Sequence, residues 1–216
     1  MKKYEVLSKL IKSGIVAVIR GNSTTSLHPI ISAIKVGGIS SIEITCTVPN
    51  ADILIKEVKE NDEDLLIGAG TVLDSQTARL CIMRGASFIV SPQFSPSVAE
   101  TCNLYGVPYI PGVASANEIT HALKSGCSLL KLFPASQFSP TIIKDFLGPF
   151  PNVSFMPTGG ISLNNVADWI RAGAAVVGVG GILTKGAKND DYLKIKETSH
   201  LFVDEINKAR SDMEAV

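Results

Sequence analysis

Two charged residues stand inside runs that are otherwise apolar: Lys131 in LLKLFPA and Glu43 in SIEITCT. Burial strips an ammonium of its hydration and favours the neutral amine. A neutral amine attacks a ketone to give a Schiff base, and the iminium then serves as an electron sink. A glutamate within reach of that centre can move protons as general acid and base. Period-two alternation sets Glu43, Thr45 and Thr47 on one strand face and Ile42, Ile44 and Cys46 on the other. The competing reading of the two charges is a purely structural buried ion pair.

Glycine gives a third signal. The segments PTGGIS (157–162) and GVGGIL (178–183) place Gly159, Gly160, Gly180 and Gly181 at the ends of two apolar runs. Glycine lets backbone N–H groups approach an anion closely, so a phosphorylated or otherwise anionic ligand is expected, with bare turn geometry as the alternative. Arg20, Thr71, Pro92 and Phe133 sit at the ends of their own apolar runs, where pocket-lining residues would fall.

The elements that must position these residues recur regularly. Apolar runs begin at Ile15, Ser41, Leu66, Phe88, Pro108, Leu129, Val153 and Ala175. Helix-patterned stretches lie between them, including 75–84, 97–105, 115–124 and 162–172. Strand followed by helix, repeated eight times, predicts an α/β fold with right-handed parallel crossovers. A (β/α)8 TIM barrel fits better than an open doubly wound sheet, for want of an obvious edge strand. A leucine-rich solenoid fails because no L-x-x-L-x-L pattern repeats. The expected organisation is a single domain over 1–216, with an N-terminal helix at 1–14, the barrel at 15–184 and a C-terminal helical segment at 185–216. The second and sixth strands of such a barrel face each other across an interior only wide enough for side chains. Lys131 and Glu43 would then converge at its C-terminal mouth, where barrels carry their chemistry.

Composition narrows the function classes. The 216 residues carry 20 basic and 20 acidic side chains, 45% hydrophobic and 19% charged residues. With a pI near 6.8 there is no electrostatic footprint for nucleic acid or an anionic membrane. Mean hydropathy is +0.27, yet no apolar stretch reaches the roughly 18 residues a spanning helix needs. Charges interrupt MKKYEVLSKLIKSG at every candidate signal-peptide core, so a cytoplasmic location is expected. Cys46, Cys81, Cys102 and Cys127 form no C-x-x-C pair and read as free thiols in a reducing compartment. His28, His121 and His200 lack metal-ligand spacing, so no metal site is expected.

Taken in order, IEIT-x-T-VPNA, IGAGTV, FIVSP, PGV, LLKLFPA and PTGGIS resemble the 2-keto-3-deoxy-6-phosphogluconate aldolase family, over essentially the whole chain. This class I, Schiff-base group also handles 4-hydroxy-2-oxoglutarate. The resemblance implies a barrel, no metal or other cofactor, a homotrimer, and retro-aldol cleavage of a phosphorylated keto acid to pyruvate and glyceraldehyde 3-phosphate. It matches Lys131 to the Schiff-base lysine and Glu43 to the acid/base glutamate. Thr71, Pro92, Phe133 and Thr158 match residues around the pyruvate portion, and Gly159, Gly160, Gly180 and Gly181 match the phosphate site.

The chain departs from the family pattern twice. Some members carry an arginine four residues after the glutamate, where this chain has Thr47. Arg20 is the arginine expected to supply the missing charge, to either the carboxylate or the phosphate. Some members also place a serine where this chain has Gly181, leaving only backbone donors there. The alternatives are cleavage of 4-hydroxy-2-oxoglutarate, of an epimeric phosphogalactonate substrate, or a non-catalytic phosphosugar-binding barrel. A decarboxylase or synthase that uses the lysine only as a charge is a further possibility.

Overall fold

The computed structural model describes residues 2–214. Among the described residues nine short strands occur, all but β5 and β6 separated by helices: β1 (Ile15–Ile19), β2 (Ser41–Thr45), β3 (Leu66–Gly70), β4 (Phe88–Val90), β5 (Tyr109–Ile110), β6 (Gly112–Val113), β7 (Leu129–Leu132), β8 (Ser154–Pro157) and β9 (Val177–Val179). The helices are α1 (Lys2–Ser13), α2 (Leu27–Val36), α3 (Ala51–Asn61), α4 (Ser75–Met83), α5 (Pro96–Tyr105), α6 (Ala116–Lys124), α7 (Ile142–Leu147), α8 (Val166–Arg171) and α9 (Tyr192–Glu214). All strand pairings are parallel, in the order β5-β4-β3-β2-β1-β9 and β6-β7-β8. The result is an α/β fold built on a curled parallel sheet. Among the described residues no helix is long and apolar enough to cross a membrane.

Eight apolar runs become nine strands because Pro111 divides the fifth. Proline has no N–H to give to a ladder, so pairing lapses there. Its carbonyl still accepts from Lys131 N at 2.9 Å. At the other end of the three-stranded segment, Ala175 N donates to Phe155 O at 3.1 Å, and Thr158 pairs with Gly178.

Strand alternation produces two cores. Outward residues such as Ile42, Ile44, Ile67 and Ala69 pack under the helices in the larger cluster. Inward residues Val16, Phe88, Val90, Leu129, Met156 and Val176 form the smaller one, which Val6, Leu7 and Leu10 of α1 join. The amphipathic N-terminal helix therefore contributes its apolar face to the inner core. Both faces of the strands are covered, which explains their near-continuous burial and unbroken apolar reading.

Local capping sets several helix starts. Asp74 accepts from Thr77 N at 2.7 Å to open α4, and Ser115 with Glu118 forms a reciprocal cap on α6. The helix expected over 162–172 begins only at Val166. Asn165 closes the preceding turn instead, accepting from Ser162 N at 2.9 Å and donating to Gly160 O at 2.9 Å. Asn competes with helix through such local side-chain bonds, and here the bonds shape the PTGGIS loop.

Arg210 of α9 ties the end of α1 to the start of β9. It donates to Lys12 O at 2.9 Å and to Ile11 O and Ala175 O at 2.7 Å each. Gly14 leaves the space: a Cβ there would lie 2.8 Å from Arg210 Nη2. Removing the guanidinium takes the donor from three carbonyls, of which that of Ala175 is partly buried. Arg210→Ala should cost about 2 kcal/mol in urea unfolding, with Arg210→Lys recovering only part of it.

Candidate active site

Lys131 lies on β7 and Glu43 on β2, strands that belong to different sheet segments. Their inward-facing side chains meet across the interior, with Lys131 Nζ 3.7 Å from Glu43 Oε1. The two side chains are 2% and 0% exposed. The pairing expected from parity thus exists in space. Lys131 follows Leu129 by one inward step, so the pair rests on the inner apolar layer.

Neighbouring residues make room for it. A Cβ on Gly70 of β3 would lie 2.0 Å from Glu43 Oε1, so only glycine lets the carboxylate take this position. The Phe133 ring faces the amine from the other side, with Nζ 5.0 Å from its centroid, a cation–π contact. Neither Glu43 oxygen has a hydrogen-bond donor among the described residues. A buried carboxylate without a donor is costly for a merely structural group and calls for an explanation in chemistry.

A second element adjoins the pair. A cavity of about 390 Å³ is lined by Arg20, Phe133, Thr158 and the glycine pairs Gly159–Gly160 and Gly180–Gly181. Gly159 and Gly160 turn through φ +96° and +78°, which side-chain-bearing residues rarely adopt. The N–H groups of Gly160 and Gly181 donate to no acceptor among the described residues. The Arg20 side chain sits beside Gly180, where a Cβ would be 3.6 Å from Nη1. A guanidinium and free backbone N–H groups around one cavity suit a phosphate dianion. Phe133 connects the two halves, touching the amine and lining the cavity.

Of the other candidates, Thr47, Thr71 and Pro92 do not line this cavity. Thr47 is exposed and bonds Thr45 Oγ1 at 2.8 Å, while Thr45 donates to Ile19 O at 3.1 Å. Thr71 ends β3 in a left-handed conformation, φ +56°. The Pro92 carbonyl packs where a Cβ on Gly112 would be 2.0 Å away. Thr158 is buried and faces Gly178, whose missing side chain admits its hydroxyl. Sequence reasoning missed Ser162, which also lines the cavity. Its place two residues beyond the glycine pair was the available signal.

The buried pair makes a test of its own. Lys131→Met leaves Glu43 buried without its partner and should lose about 3–5 kcal/mol in urea unfolding. Adding Glu43→Leu should restore most of that loss. Equal stability of the single variant and the parent would deny the pair its place.

The family model described as KDPG and KHG aldolase matches residues 6–198. A 2-dehydro-3-deoxy-phosphogluconate aldolase from Treponema pallidum is 42% identical over 154 residues, 71% of this chain and 73% of that protein. The enzyme of that name from Pseudomonas aeruginosa is 40% identical over 168 residues, 77% of this chain and 76% of its own. Among solved structures, the KDPG aldolase of Legionella pneumophila, with pyruvate captured as a covalent carbinolamine, superposes with a TM-score of 0.83 at 30% identity. That match covers 88% of this chain and 94% of the other. The chain belongs to the KDPG and KHG aldolase family.

Proposed function

We propose that the chain is a class I aldolase that cleaves 2-keto-3-deoxy-6-phosphogluconate to pyruvate and glyceraldehyde 3-phosphate through a Schiff base on Lys131. The observation that carries this reading is the buried Lys131–Glu43 contact beside a cavity with arginine and free glycine N–H groups. We further read the two sheet segments as one eight-stranded barrel in a single domain. The Pro111 interruption and the bonds joining β8 to β9 support that closure.

The chemistry follows from the pair. Glu43 takes a proton from Lys131, and the neutral amine adds to the C2 ketone to form a carbinolamine. Glu43 returns the proton to the departing hydroxyl, water leaves, and an iminium remains. The carboxylate then takes the C4 hydroxyl proton, directly or through water. The C3–C4 bond breaks, its electrons enter the iminium as an enamine, and the aldehyde departs. Protonation of C3 and hydrolysis release pyruvate and the free lysine. Phe133 and the inner apolar layer exclude water from the amine, which keeps it nucleophilic.

Substrate orientation comes from the cavity. Arg20 supplies charge to the phosphate rather than to the carboxylate, because it lies beside Gly180 among the loops with free N–H groups. Ser162 offers a side-chain hydroxyl on the same cavity, where Gly181 has none. Thr47, Thr71, Pro92 and Thr158 surround the keto-acid end. The phosphorylated substrate is favoured over 4-hydroxy-2-oxoglutarate because that compound has no phosphate and ends in a carboxylate at C5, one bond from the cleavage centre, whereas Arg20 lies among the glycine loops. Family membership supports a homotrimer, for which exposed Leu80, Met83 and Leu104 on α4 and α5 offer apolar surface. Four free thiols fit the reducing cytoplasm.

Borohydride reduction with pyruvate should leave one reduced adduct, mapped by mass spectrometry to Lys131 and missing from Lys131→Met. Unmodified Lys131 in active enzyme would end the Schiff-base reading. Arg20→Ala should raise KM for the phosphorylated substrate about 10- to 100-fold, the loss of one or two charge-assisted bonds. Its kcat and its turnover of 4-hydroxy-2-oxoglutarate should change little. An equal effect on both substrates would move Arg20 to the carboxylate.

A further inference from the structure

The alternation that turns Glu43 inward turns Cys46 outward, toward the helices. There its Sγ lies 3.8 Å from Sγ of Cys81 on α4. Cys46 is half-buried in the turn just after β2, whereas Cys81 is fully buried in the larger core. Two thiols from distant parts of the chain are thus in contact, one of them reachable by a small solute. The catalytic chemistry uses neither.

We propose that Cys46 and Cys81 form a reversible disulfide on exposure to a hydroperoxide, and that this bond lowers aldolase activity by displacing the end of β2. The activity part rests on the proposed function; the disulfide does not. Cys46 is the attacking thiol. The hydrogen bond with the Cys81 thiol holds Cys46 below the usual thiol range against the opposing effect of burial. The same bond, with burial, pushes Cys81 up. The Cys46 thiolate attacks one peroxide oxygen, an S–O bond forms, the O–O bond breaks, and hydroxide leaves to be protonated as water. The Cys81 sulfur then attacks the sulfenic sulfur, the S–S bond forms, the S–O bond breaks, and a second water leaves with the Cys81 proton. Two thiols are oxidised by two electrons and one peroxide is reduced to two waters.

A disulfide needs the sulfurs about 2.0 Å apart, against 3.8 Å in the reduced pair. Cys81 sits in a helix fixed by its Asp74 cap and its packing, so the movement falls on the Cys46 turn. Cys46 N donates to Gly70 O at 2.7 Å. Gly70 is also the residue against which the Glu43 carboxylate rests. Drawing Cys46 toward α4 therefore strains the contact that sets Glu43, and the Thr45–Thr47 hydrogen bond beside it. Misplacing a catalytic group by about 1 Å can cost as much as 100-fold in rate.

The full chain is treated with hydrogen peroxide, its remaining thiols are alkylated, and the non-reduced peptides are mapped by mass spectrometry. A cross-link joining Cys46 to Cys81 is expected, with kcat/KM lower by about tenfold or more and both reversed by dithiothreitol. Cys46→Ala should keep parental activity and resist peroxide; Cys81→Ser should resist it too wherever it folds. Alkylated Cys46 and Cys81 in peroxide-treated protein would overturn the proposal. So would a cross-link with unchanged kcat/KM, or a Cys46→Ala variant as sensitive as the parent. The mapping needs no turnover, so a chain that cross-links yet never cleaves the keto acid refutes the aldolase reading and leaves the disulfide standing.

Discussion

An amine and a carboxylate 3.7 Å apart, both almost wholly out of water, is the constraint around which this molecule is arranged. Each group alone would cost several kcal/mol to bury, and their mutual attraction repays that only where geometry is held firmly. The holding comes from residues with no charge. Gly70 leaves the space that Glu43 fills, and the Phe133 ring covers the amine. The pair is also incompletely satisfied, since the carboxylate oxygens accept no hydrogen bond from the described residues. A structural ion pair would gain by acquiring donors; a proton shuttle must keep its lone pairs free to work. That difference favours chemistry over stability as the reason for the two charges.

Everything beneath the pair serves to keep it still. Parallel strands bring their C-terminal ends to one side, so β2, β7 and the glycine-rich ends of β8 and β9 open on a common region. The inward apolar layer of Val16, Phe88, Leu129 and Met156 fills the space below and leaves the charges no way to sink. Helix α1 adds Val6, Leu7 and Leu10 to this layer, and Arg210 fastens its last turn to the segment leading into β9. A bond far from the reacting atoms thereby secures the inner core, because close-packed interiors transmit displacement rather than absorb it.

Much of this was legible in the sequence, for a physical reason. When both faces of a strand are covered, a charge has no solvated face to occupy, so Lys131 and Glu43 stand out as exceptions to their own runs. The glycine pairs were readable because backbone donors need no side chain. Less was visible where the outcome depends on packing between elements. Pro111 stands openly in PYIPGVA, yet only the ladder shows that it splits the strand while its carbonyl still serves β7. The stretch from 162 has a helical pattern, but Asn165 commits its side chain to the loop, and the helix waits until Val166. Cys46 and Cys81 are 35 residues apart, and no spacing rule relates a strand end to the middle of the next-but-one helix.

That last omission bears on how the fold distributes its functions. Strand β2 presents one face to the interior and the other to the helices, and neighbouring residues need not share a purpose. Glu43 looks into the site, whereas Cys46 looks away from it toward α4. Only two residues, Ile44 and Thr45, separate them, and the backbone is anchored at Gly70, which touches both through its carbonyl and its missing side chain. A force applied on the helix side therefore has a short, stiff path to the carboxylate. Parallel α/β sheets offer this arrangement wherever a strand ends in a reactive outward residue. The rigidity that holds the buried pair in register also exposes it to events outside the site.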